Sequence, residues 1–169
     1  ALAACLAASP TLAQDAAPMT AQDLVTLPRL GSPVVVPGGQ AVVYPVTETD
    51  PETLKRTTTQ WRQAIAGPRQ APVALDLGGS ASSLSFGPDG AVWFLSARGD
   101  GEPTTQVWRA PINPDGTAGT PVQMSRLPAS VSGYALSPTG DAITVWAEVS
   151  RTCPTLGCDG DGKAHLPGP

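Results

Sequence analysis

Leu84-Ser85-Phe86-Gly87-Pro88-Asp89-Gly90-Ala91-Val92-Trp93-Phe94-Leu95 reads as a strand, a tight turn and a second, wholly apolar strand. Proline presets φ at the first corner of such a turn, and Gly90 supplies the positive φ that lets the chain double back. The same order of parts recurs at Val34-Val35-Val36-Pro37-Gly38-Gly39 and at Tyr134-Ala135-Leu136-Ser137-Pro138-Thr139-Gly140. The turn prolines, Pro37, Pro88 and Pro138, stand 51 and then 50 residues apart. A fixed period of that size marks a repeat architecture. Other landmarks keep step: Leu27-Pro28 and Leu127-Pro128 lie two periods apart, and Gln60-Trp61-Arg62 returns as Gln106-Val107-Trp108-Arg109.

Working outward, each period divides into four short apolar segments. The first would hold strands at 33–36, 41–46, 58–62 and 72–77, the second at 84–87, 91–96, 105–110 and 121–125, and a third opens at Tyr134 and continues through 142–149. Asn113-Pro114-Asp115-Gly116 supplies the turn between the last two strands of the second period. The second strand of each repeat is an unbroken apolar run, as in Ala142-Ile143-Thr144-Val145-Trp146-Ala147. Runs of this kind between turn signals fit strands buried on both faces, whereas a sheet with one wet face would alternate. The expected fold is therefore all-β: a partial β-propeller of about two and a half four-stranded blades, at 32–77, 83–127 and 134–169. Propellers close with several more blades, so the reading implies a piece of a longer protein, with residues 32–169 as an incomplete ring.

The segment before the repeats is different. Residues 1–13 are almost all alanine and leucine and carry no charge, and Thr11-Leu12-Ala13 offers small residues at the positions a signal peptidase reads. This is the pattern of a signal-peptide remnant cleaved near Ala13, which places the mature protein in the periplasm or outside the cell. Leu2-Ala3-Ala4-Cys5 offers a competing lipoprotein reading with acylation at Cys5. The stretch is too short to span a bilayer. Residues 14–31 form a lead-in, with a helical turn capped by Thr20 and Asp23.

Composition narrows the function classes. Gly and Pro number 18 and 19, charged residues are only 14%, and the net charge is −4. Basic residues are scattered singly, so the clustered Lys/Arg footprint of a nucleic-acid binder is missing.

The turn-plus-aromatic-strand segment 88–95, the continuation Ser96-Ala97-Arg98-Gly99-Asp100 and Thr105-Gln106-Val107-Trp108-Arg109, Ser132-Gly133-Tyr134-Ala135-Leu136-Ser137-Pro138, and Cys153-Pro154-Thr155-Leu156-Gly157-Cys158 together resemble the propellers of exported serine peptidases of the prolyl-oligopeptidase family. The acylaminoacyl-peptidase and dipeptidyl-aminopeptidase-like members are the nearest in pattern, and the likeness covers essentially all of 19–169. It departs at Pro37-Gly38-Gly39 and at Thr139, where the usual Asp is missing. The resemblance implies a full protein that hydrolyses peptides with a C-terminal α/β-hydrolase domain, this chain covering the active site and filtering substrates. The alternative is a TolB-like, non-enzymatic periplasmic propeller that binds protein or glycan partners.

No catalytic residue is expected here. The nucleophile elbow needs Gly-x-Ser-x-Gly at a strand-to-helix turn; Gly78-Gly79-Ser80-Ala81-Ser82 ends in Ser within a β context, and His165 is the chain's one histidine. Once a signal peptide carrying Cys5 is removed, Cys153 and Cys158 form an even pair, expected as a disulfide in an oxidising compartment. Free thiols, or a zinc site shared with His165, are the competing states. Asp159-Gly160-Asp161-Gly162-Lys163 lacks the terminal Glu of a calcium loop and reads as a solvated turn. No cofactor or metal is expected. Trp61, Trp93, Trp108 and Trp146 are expected to pack between blades, and Glu48, Asp50 and Glu52 to lie on a solvated loop.

Overall fold

A computed structural model describes residues 18–98 and 104–148. The chain opens on helix α1 (Ala21–Thr26), held by a capping box in which the Thr20 hydroxyl accepts from the Asp23 N–H and the Asp23 carboxylate accepts from the Thr20 N–H. Everything after it is strand and turn.

The first sheet contains β1 (Arg29–Leu30), β2 (Val34–Val35), β3 (Ala41–Thr49), β4 (Arg56–Ala64) and β5 (Val73–Leu75). β3, β4 and β5 follow one another antiparallel, and β1 and β2 both pair along the free edge of β3. The second sheet is a four-stranded antiparallel meander of β6 (Ser82–Phe86), β7 (Val92–Ala97), β8 (Thr105–Ala110) and β9 (Val122–Gln123). β10 (Val131–Leu136) and β11 (Ile143–Ala147) form a third, two-stranded sheet. The expected strands all form, within a few residues of the anticipated ends. β1 is an addition that the lead-in, read as a helical turn alone, did not suggest.

The three repeated turns close in the same way. Gly39, Gly90 and Gly140 each donate their N–H to the residue three positions back, at 2.9–3.0 Å, and all three have φ between 68° and 77°. A side chain there would be strained, which is why glycine ends each turn. The hairpins differ in length by one residue. Val36 bonds to Ala41 and Ser137 to Ala142, but Gly87 bonds to Ala91. Gln40 and Asp141 are thus extra residues, and the structural repeat runs Ala41, Ala91, Ala142 rather than strictly from proline to proline.

With that offset the registers superpose. Val43 lies opposite Arg62 as Trp93 lies opposite Arg109; Tyr44 lies opposite Trp61 as Phe94 lies opposite Trp108. Trp61 and Trp108 occupy equivalent third-strand positions, as the sequence suggests. The faces follow the same rule. On β7, Val92 and Phe94 point into a core cluster with Val43 and Leu75 of the first sheet and Leu77 just past β5. Trp93 and Leu95, on the opposite face, join Val107 and Val131 in a second cluster, against which Tyr134, Ile143 and Val145 of the third sheet pack. Successive sheets thus meet face to face, each burying aliphatic and aromatic groups at roughly 25 cal/mol per Å² of apolar surface.

Burial of the second strands corrects one expectation. β7 is buried on both faces from Val92 to Ser96, but β11 alternates, with Thr144 and Trp146 exposed. Trp146 is 52% exposed instead of packed between sheets. The cause is positional: among the described residues no further sheet covers that face of the third sheet. The indole lies instead over Gly133, where an added Cβ would come within 2.2 Å of the ring. Only glycine permits that approach.

Five aspartates of the caps and turns have their carboxyls held below the usual range. Backbone N–H groups do this for Asp23 and Asp50, the Arg109 guanidinium for Asp89, and threonine hydroxyls for Asp115 and Asp141. A carboxylate depressed in the folded state stabilises the fold above its unfolded value of about 3.9 and loses that contribution as pH falls through the folded value. The melting temperature is therefore expected to hold from neutral pH down to about 4 and to drop below it. A midpoint unchanged at pH 3 would contradict this.

Candidate functional site

The chemistry of this chain gathers where its sheets meet. At the first junction the connection from β5 to β6 is tied down by side chains from both sheets. Gln60 on β4 donates Nε2 to the Ala81 carbonyl at 3.0 Å, and Ser96 on β7 donates its hydroxyl to the Ser80 carbonyl at 2.5 Å. Arg98, just past β7, donates to the Leu77 carbonyl at 2.6 Å and to Ser96 Oγ at 2.9 Å. Its guanidinium lies 4.6 Å from the centre of the Trp108 ring and 5.3 Å from that of Phe94. Burial pulls the group below its ordinary value, with Asp76 acting the other way. It remains a cation, since an arginine starts so far above neutral pH.

The second junction uses different side chains for the same task. Gln106 donates Nε2 to the Leu127 carbonyl at 2.9 Å, and its Oε1 accepts from the Leu127 N–H and the Ser125 hydroxyl. Tyr134 on β10 reaches into the second sheet, donating to the Ser83 carbonyl and sharing a hydrogen bond with Ser85 Oγ, both at 2.8 Å. Arg109 pairs with Asp89 at the turn and lies over Trp93. Both partners of that ion pair are partly exposed, so its worth is small.

Desolvation pushes the Tyr134 hydroxyl up to about 12, while its bonds from Ser85 act in the opposite sense. An unfolded tyrosine titrates near 10. The stability this group gives is present below that value and is lost as pH rises from about 10 towards about 12. Absorbance of tyrosinate should show one of the chain's two tyrosines ionising late, in step with unfolding. Tyr134→Phe should remove the late step and lower stability by about 1 kcal/mol, the net worth of a hydrogen bond. A single step near pH 10 in the parent chain would refute the assignment.

Two open spaces border these junctions. A cleft of about 1110 Å³ lies between the first and second sheets, beside the connection at 79–83. A recess of about 300 Å³ lies between the turn tips of the second and third sheets, lined by Pro88, Asp89, Trp93, Arg109 and Gly140.

Several sequence-predicted features fall elsewhere. Cys153, Cys158, His165, the 159–163 turn, Cys5 and the cleavage region around Ala13 lie outside the described residues. The Gly78–Ser82 segment is a link between two sheets, with positive φ at Gly78 and Gly79, and no helix follows it. Asp50 caps its own turn by accepting from the Glu52 and Thr53 N–H groups, and Glu52 is exposed beside it, as expected of a solvated loop, whereas Glu48, also exposed, belongs to strand β3 opposite Thr57. Among the described residues no His, Cys, Asp and Glu gather in threes to ligate a metal. Arg98 and Tyr134 were not singled out beforehand, although the Ser-Ala-Arg end of the second strand and the tyrosine one period after Leu84 were visible signals. No protein-family model matches this chain, and no curated protein matches it.

Proposed function

We propose that this chain is the propeller portion of an exported serine peptidase of the prolyl-oligopeptidase type, gating peptide access to a C-terminal α/β-hydrolase domain. One observation carries the architectural half of the reading: the strand register and face assignment of the first sheet repeat in the second. The first and second sheets also turn equivalent positions, Val43 and Trp93, towards their successors. Continued around an axis, that step generates a ring of stacked blades. The exposed Thr144 and Trp146 occupy the face that the next blade would cover, as Val43 and Trp93 are covered in the sheets before.

The peptidase half rests on the family resemblance of the repeats and on the export signal. In it the Ser-Asp-His chemistry belongs to the following domain, while these blades screen substrates and support that domain, with peptides as the substrate class. The test is labelling of the full-length protein with a fluorophosphonate probe, combined with reading the gene downstream. A labelled serine within Gly-x-Ser-x-Gly, followed by Asp and then His, is the expected result. A gene that ends after further blades, with no labelling, would leave a TolB-like binding propeller instead.

A further inference from the structure

We draw no further inference here: the strongest candidate, the patch of exposed apolar side chains that Met19, Leu24, Leu27 and Leu30 place along helix α1 and strand β1, carries none because nothing in the structure shows what covers it.

Discussion

Phe94→Ala is expected to lower stability by about 3–5 kcal/mol, the range for truncating a buried phenylalanine. Phe94 is among the largest of the fully buried side chains, at 0% exposure, and belongs to the cluster that joins the first two sheets. Val43 and Leu75 of the first sheet and Leu77 just past it belong to the same cluster, as do Val92 and Ala110 of its own sheet. Strands cannot easily move inwards to fill the space, because β7 is hydrogen-bonded on both edges, to β6 and to β8. The cavity term therefore adds to the lost transfer energy. Since a domain's whole stability is commonly 5–15 kcal/mol, this one change should bring the chain close to unfolding. Urea denaturation followed by tryptophan fluorescence gives the measurement. A loss under about 1 kcal/mol would mean that the two sheets do not rely on this contact.

Arg98→Ala comes second, with an expected loss of about 2–3 kcal/mol. A hydrogen bond from a charged donor is worth about 1.5–3 kcal/mol, and stacking on an aromatic face adds about 0.5–1 kcal/mol. The Leu77 carbonyl would lose this donor, and the link between the sheets would lose one of its ties. Arg98→Lys should recover less than half of the loss. An ammonium cannot lie flat on Trp108 while reaching both the Leu77 carbonyl and Ser96 Oγ, because it lacks the planar fork of the guanidinium. Equal stability of the lysine variant and the parent would show that charge alone suffices. Equal stability of the alanine variant would show that the clamp contributes nothing.

Much of this architecture could be read before any coordinates. Pro37, Pro88 and Pro138 and their closing glycines announced three like hairpins, because turn chemistry is local: the proline ring fixes its own φ, and glycine accepts the positive φ that the turn requires. The apolar runs after the turns identified second strands for the same reason. Trp61 and Trp108 could be matched because Gln60-Trp61-Arg62 and Gln106-Val107-Trp108-Arg109 recur at nearly one period. The Thr20–Asp23 cap was equally legible, being a contact across three residues.

Other features had no local signal. β1 forms because Arg29 and Leu30 find the outer part of β3, and two residues carry too little pattern to declare a strand. Trp146 looked as apolar and as strand-bound as Trp93, yet one is half-exposed and the other buried. The difference depends on which face each presents and on what covers that face. The cleft is lined by residues of two sheets, from Ser32 to Thr105, that no local pattern brings together.

The order of residues by itself determined the repeat, its turns and the antiparallel strands between them, since these follow from backbone preferences and from the alternation of apolar groups over a few positions. Only the tertiary structure decided which face of each sheet is buried, where Arg98 and Tyr134 anchor, and where the sheets part to leave a cleft. Those outcomes come from groups many positions apart competing for the same space and the same hydrogen-bond partners, and no short stretch of sequence contains that competition.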